Sequence, residues 1–380
     1  MRDQIVRLAK DLITIPSVSG DIEKAVEILE FGKQQLANFA FTPFVSNTYP
    51  SLLFSNQGTD RRTFKIILNA HLDVVPGKKE QFHPYEKDGK LYGRGVFDMK
   101  AATAAMLLLF KNEAHKLSFP FGLQLTTDEE LSGFHGTRYQ VAQGVRADFV
   151  IMGECNSNLR VTNQSKGRHL IKIIIEGNTA HAAYPWHGKN ALWEMYQALN
   201  PLMQAFPTPK EEIYKTTVSI TRIKTENDAT NKIPGNCTAF LDVRYAPEDK
   251  DTIIAKIKSL LPSTIRLEAD HLRPYHSVEA KNKYITSLRK ITQEIYGQDL
   301  PLRFAHATSD APFFAAVGCD AIEFGPVGQN AHQDNEWVDS NSLETYYYIL
   351  KKFLATVDTH VKSSPKIINL SSEKKALLPL

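Results

Sequence analysis

Phe121-Gly122-Leu123-Gln124-Leu125-Thr126-Thr127-Asp128-Glu129-Glu130 is an apolar run that ends in consecutive acids, and the same pattern recurs along the chain. Lys65-Ile66-Ile67-Leu68-Asn69-Ala70 runs into His71-Leu72-Asp73, and Phe149-Val150-Ile151-Met152 closes on Gly153-Glu154. Ala321-Ile322-Glu323-Phe324 leads through Gly325-Pro326 toward His332. Short buried strands that carry polar side chains at their carboxyl ends describe an open α/β sheet, whose ligands occupy the crevice beyond those ends. The chemistry of this chain is expected there.

Working outward, the sequence up to about Ser165 alternates helix and strand, as an α/β layer requires. A helix is predicted from Ile22 to Phe39 with Asp21 as its N-cap, and another from Ala101 to His115. Asp88-Gly89 between Tyr85-Glu86-Lys87 and Lys90-Leu91-Tyr92 predicts a two-residue hairpin, an antiparallel excursion on the parallel sheet. From about His169 the order becomes strand (Leu170 to Glu176), helix (Asn190 to Phe206), strand (Thr217 to Ile223), strand (Cys237 to Val243), helix (Asp251 to Leu261) and strand (Thr264 to Ala269). That β-α-β-β-α-β order is ferredoxin-like and reads as an inserted unit. Alternation resumes with a helix from Ile285 to Tyr296, so the expected division is 1–168 with 275–380 as one domain and 169–274 as the insert. Ser363 to Leu380 reads as a loose polar tail.

Composition bounds the function. A chain of 380 residues, 42% hydrophobic and 23% charged, can bury a large core. Its net charge of +3 comes from bases scattered among nearly as many acids, which gives no basic stripe for nucleic acid. Met1-Arg2-Asp3-Gln4 opens an amphipathic helix without the apolar core of a signal peptide, and no run approaches membrane-spanning length. Three separated cysteines suit a reducing compartment, so a cytoplasmic protein is expected, with Cys155 as a small packing residue. Gly93 and Gly95 lack the helix-opening fingerprint of a phosphate loop, which excludes a nucleotide site there.

His71-x-Asp73 sets two side chains on one face of an extended segment, where Asp73 can orient the imidazole for a metal. Asp98 follows the glycine-softened turn Tyr92-Gly93-Arg94-Gly95-Val96-Phe97, and an N-cap is its alternative role. Adjacent acids on a strand end point in different directions, so Glu129 and Glu130 divide the labour between water and metal, or are simply solvated. With Glu154 and His332 these make two imidazoles and three carboxylates from separate stretches, a donor set suited to zinc.

Asn69-Ala70-His71-Leu72-Asp73-Val74-Val75-Pro76, Tyr92 to Lys100, Thr127-Asp128-Glu129-Glu130 and Gly153-Glu154 resemble the metal-site motifs of a dizinc amidohydrolase family. That family includes succinyl-diaminopimelate desuccinylase, acetylornithine deacetylase, aminoacylase and glutamate carboxypeptidase. The resemblance implies a zinc-exopeptidase-like α/β catalytic domain with an inserted ferredoxin-like lid that also mediates homodimerisation. It implies two zinc ions, with cobalt or manganese as substitutes: His71 and Glu154 on one, Glu130 and His332 on the other, and Asp98 bridging. Glu129 then matches the general base and Asp73 the residue behind His71. The family often has proline after the glutamate, where this chain has Cys155-Asn156.

In the insert, the resemblance assigns His181 to oxyanion stabilisation, often in the partner subunit's site, and Asn231 and Arg244 to the substrate carbonyl and carboxylate. A loop histidine, a turn asparagine and a strand-end ion pair are the ordinary alternatives. Arg168 is a candidate for reading a second carboxylate. Ser309-Asp310 resembles another family loop near the site, with an Asp N-cap as the alternative. The implied activity is amide hydrolysis of an N-acyl amino acid or short peptide; an exopeptidase of the glutamate carboxypeptidase type is the runner-up. A metal-stabilised binding protein without catalysis is the reading from another class, and Glu129 argues against it, because a structural metal site needs no free base.

Overall fold

The computed structural model describes residues 1–154 and 158–363. In chain order the strands that matter are β1 (Ala40–Ser46), β2 (Tyr49–Ser55), β3 (Thr63–His71), β4 (Phe121–Thr126), β5 (Arg146–Met152) and β6 (Thr162–Ser165). β7 (Gly167–Glu176), β8 (Thr217–Lys224), β9 (Asn236–Tyr245) and β10 (Arg266–Arg273) follow, then β11 (Arg303–Ala305) and β12 (Asp320–Glu323). Helices are α1 (Arg2–Thr14), α2 (Ile22–Gln35), α3 (Ala101–Glu113), α4 (Thr137–Ala142), α5 (Ala191–Ala205), α6 (Ile253–Ser259), α7 (Lys283–Tyr296), α8 (Ala311–Ala315) and α9 (Ser340–Ser363).

The main sheet has the order β1-β2-β4-β3-β5-β12-β6-β11, mixed in direction. β3 lies parallel to both β4 and β5, and β5 to β12, so the carboxyl ends of these central strands share one edge. β4 is buried at every position, as expected of a strand covered on both faces. Ile66, Leu68 and Ala70 of β3 join the core beneath α1, α3, α7 and α9, whereas Ile67 joins the core beneath α4 and α8. Each such leucine or isoleucine contributes roughly 1.5–3 kcal/mol on burial. α1 buries Ile5, Val6, Leu8, Ala9, Leu12 and Ile13, the stripe that its 3.6-residue period dictates.

The second sheet is fully antiparallel, with the order β8-β9-β7-β10, the ferredoxin-like arrangement. β7 alternates buried and partly exposed residues along its length. Its inward Ile171, Ile173 and Ile175 pack with Met195 and Leu199 of α5 and Ile257 of α6. At the seam between the sheets, Ser165 N–H donates to the His276 carbonyl at 3.0 Å and Val278 N–H to the Asn163 carbonyl at 2.9 Å.

Several boundaries differ from the sequence reading. The helix predicted from Ile22 to Phe39 stops at Gln35, because Leu36 leaves the helical region and the chain turns into β1. Asp21 caps that helix by accepting the Lys24 N–H. The Asp88-Gly89 hairpin forms, but it pairs with Trp337–Asp339 in a separate small sheet and is no excursion of the main one. Polar, aromatic-rich α9 was not read at all, and it ends where the tail was expected to start. Cys155 and the tail beyond Ser363 lie outside the described residues. Among the described residues no helix is long and apolar enough to cross a membrane.

Candidate metal centre and active site

Three parallel strands deliver side chains to one edge of the main sheet. β3 ends at His71, β4 leads to Glu129 and Glu130, and β5 leads to Glu154. Asp98 arrives from the turn before α3, and that turn is built around a buried acid. Glu336 accepts the N–H groups of Gly95, Phe97 and Asp98 at 2.9, 2.9 and 3.0 Å, and pairs with Arg94 at 2.9 Å. Gly95 sits at φ 76°, where a Cβ would come within 2.3 Å of Val74. His332 stands at φ 66°, a left-handed backbone on a non-glycine residue of the kind found at functional sites.

These elements bring together two donor groups that share one residue: His71, Asp98 and Glu154, and Asp98, Glu130 and His332, each with its ligand atoms within 4.8 Å of one another. Asp98 faces both ways, with Oδ1 3.1 Å from His71 Nε2 and Oδ2 3.2 Å from His332 Nε2. His332 Nε2 also lies 3.0 Å from Glu130 Oε1, and His71 Nε2 lies 4.0 Å from Glu154 Oε2. Glu154 Oε1 is buried without a hydrogen-bond partner. Converging carboxylates, imidazole nitrogens and an unpartnered buried carboxylate oxygen fit a pair of divalent cations, whose charge offsets the repulsion among the acids.

The electrostatics run the same way. Burial, then the charge of Glu154, pushes the Glu129 carboxyl well above its usual range. Burial likewise raises Glu154, against the opposing pull of His71. At half-buried His332, hydrogen bonds to Asp98 and Glu130 lift the imidazole to about 10. For the donors Glu154 and His332, these shifts mark surroundings in which bound positive charge is favoured.

Glu129 belongs to neither donor group, and among the described residues its carboxyl makes no hydrogen bond. Its position comes from Asp73, whose carboxylate accepts the main-chain N–H of Glu129 at 3.2 Å and of Glu130 at 3.1 Å, and the Ser19 hydroxyl at 2.6 Å. The nearest acceptor to His71 Nδ1 is the Asp73 carbonyl at 3.0 Å, with the carboxylate at 3.5 Å. Asp73 thus fixes the imidazole and the two glutamates from one place.

The insert residues stand apart from the donors. His181 pairs with Lys232 on a two-residue strand, is exposed, and lines an open groove with Asn231. Its Nδ1 accepts the Ala183 N–H at 3.1 Å, which leaves Nε2 to carry the proton. Arg168 and Arg244 converge on Asp242: Arg168 Nε donates at 3.0 Å and Arg244 Nε at 2.7 Å. Asp310 opens α8 but caps it with no side-chain hydrogen bond; it is wholly buried, and Gly133 packs against its carboxylate. Ser309 donates instead to Glu323 at 2.7 Å.

Sequence reasoning missed the supports. Glu336 lies four residues beyond His332 in a polar loop, and nothing in its spacing announces three main-chain donors. Lys100, fully buried, donates to the carbonyls of Leu12 and Ile15 at 3.0 and 2.8 Å, tying α1 to the Asp98 turn. Its signal, a lysine before the apolar face of α3, was visible but has many readings.

Residues 67–356 match the family profile described as Peptidase family M20/M25/M40. Among curated relatives, a succinyl-diaminopimelate desuccinylase from Colwellia psychrerythraea is 27% identical over 94% of this chain and 98% of its own. One from Coxiella burnetii is 30% identical over 73% of this chain and 80% of its own. A tripeptidase structure from Staphylococcus aureus superposes with a TM-score of 0.78 at 19% identity, covering 94% of this chain and 99% of that one. A dinuclear metal-binding peptidase from Bacillus subtilis does so with a TM-score of 0.68 at 14% identity, covering 94% and 98%.

Proposed function

Because the chain belongs to peptidase family M20/M25/M40, we propose that it hydrolyses the amide bond of an N-acyl amino acid or short peptide with a free carboxylate, using two zinc ions. The observation that carries this reading is Asp98 facing both donor groups while the Glu129 carboxyl stays outside them. His71 and Glu154 would hold one ion, Glu130 and His332 the other, with Asp98 between. Bound there, the ions supply an acidified water and polarise the scissile carbonyl.

The remaining work falls to the chain. Glu129 accepts the proton of the attacking water on its free carboxylate and returns it to the departing amine. His181, holding its proton on Nε2, donates to the carbonyl oxygen as negative charge develops. Arg244 grips the substrate carboxylate with its planar fork, and Asn231 positions the carbonyl. The desuccinylase names of the curated relatives favour a dicarboxylic acyl group over a peptide.

The insert, read as 169–274 against 1–168 and 275–380, would act as lid and dimer interface. Trp186, Trp193, Tyr196 and Met203 expose 72, 64, 67 and 59% of their surface around α5. Large apolar residues grouped this way favour a second copy as partner. Light scattering should give a dimer; a fully active monomer would remove the partner-subunit role of His181.

The direct test of the base is Glu129→Ala in zinc-loaded protein. Turnover of N-succinyl, N-acetyl or dipeptide substrates should fall at least about 1000-fold with two zinc ions retained. Equal hydrolysis by variant and parent would refute the assignment.

A further inference from the structure

Three arginines stand abreast on the lid sheet. β9 and β7 pair Arg244 with Arg168, and β7 and β10 pair Arg168 with Arg273. Residues directly opposite on neighbouring strands share a face, and like charges so placed repel unless an anion stands between them. Asp242 supplies one for two of the three, at 2.9 Å from Arg168 Nη2 and 2.7 Å from Arg244 Nε.

Arg273 has none. It is only 7% exposed, and among the described residues no carboxylate lies within ion-pair distance of its guanidinium. The Phe134 ring packs against it, 5.6 Å from the guanidinium carbon. Phe134 follows Glu129 and Glu130 on the same loop, and the charges of Glu129 and Asp310 reach Arg273. A register shift between Asp270 and Arg273 breaks the regular pairing of β10 just before this residue. A buried charge without a partner is costly, and truncating such a group differs from leaving it bare. The guanidinium lies within electrostatic reach of the proposed base and of both arginines assigned to substrate, yet has no ion-pair partner of its own among the described residues, and a substrate anion would supply one.

We propose that Arg273 is a specificity-determining residue that binds a substrate carboxylate other than the one gripped by Arg244, so that the preferred substrates carry at least two carboxylates. This rests on the hydrolase reading above. The second carboxylate can belong to the acyl group or to the side chain of the amine, and the chemistry at the guanidinium is the same.

Two matched pairs separate these sources: N-succinyl-L-alanine against N-butanoyl-L-alanine, and N-acetyl-L-glutamate against N-acetyl-L-glutamine. In zinc-loaded parent, one pair should show a strong preference for the charged member. Arg273→Met should cut kcat/KM for that member about 100-fold and change its neutral counterpart less than about threefold. Arg273→Lys, which keeps the charge and the stem, should restore part of the preference and shows that the site is intact. If Arg273→Met slows charged and neutral members equally, or leaves every preference as in the parent, the proposal is overturned. Should the parent hydrolyse none of the four, the N-acyl amino acid form of the hydrolase reading fails by itself. Arg273 is then judged by calorimetric titration with glutarate: binding to the parent lost in Arg273→Met supports the anion site, and equal binding in both overturns it.

Discussion

The carboxyl edge of the main sheet and the adjoining end of the four-stranded antiparallel sheet are built by opposite means. At the first, His71 comes from a strand end and Asp98, Glu130, Glu154 and His332 from separate turns and loops, and mutually repelling acids converge. At the second, Arg168, Arg244 and Arg273 are brought together by strand register alone. The acidic end is held from behind by main-chain donors and buried partners, whereas the basic end is held by the sheet. Like charge is concentrated at both ends; Asp242 offsets part of it at the basic end, and the proposed cations and substrate carboxylate would offset the rest.

Removing the support of the acidic end should have the largest effect. Glu336→Ala leaves buried Arg94 without its carboxylate and the N–H groups of Gly95, Phe97 and Asp98 without an acceptor. Loss of one partner of such a buried pair costs about 3–5 kcal/mol. Urea unfolding should register that loss, and zinc affinity should fall with it because Asp98 is released. A variant with parental stability and metal content would show that the turn holds itself.

The seam between the two ends gives a smaller, pH-dependent effect. His276 is fully buried beside Ser165, 2.8 Å from its hydroxyl, and burial pulls its imidazole down to about 4. An unfolded chain protonates histidine near 6.5, so below that pH the unfolded state binds the proton that the folded state refuses. Stability from neutral His276 is therefore complete above about pH 6.5 and declines as pH falls toward 4, by roughly 3 kcal/mol. Comparing parent with His276→Gln by denaturant unfolding isolates this slope; identical pH dependence would place the acid sensitivity elsewhere.

The sequence disclosed these regions unequally. Apolar runs ending in His71, Glu129 and Glu154 were legible because a buried parallel strand leaves a continuous hydrophobic signature and its end is marked by polarity. The insert was legible because its strands alternate, as β7 does between Ile171, Ile173 and Ile175 and their outward neighbours. Glu336 was not, since its role is written in main-chain N–H groups far away in sequence. Arg273 was not either: its neighbours follow from a register that includes an irregularity, and no local period encodes that. α9 escaped although it buries Leu343, Leu350, Phe353 and Leu354, because Tyr346, Tyr347 and Tyr348 blur its apolar stripe.

The position of bound metal is the most direct test of the proposed site. Crystals of the zinc-loaded protein should give two anomalous peaks at the zinc edge, one among His71, Asp98 and Glu154 and the other among Asp98, Glu130 and His332. Full loading in solution with no anomalous peak between these residues would contradict it.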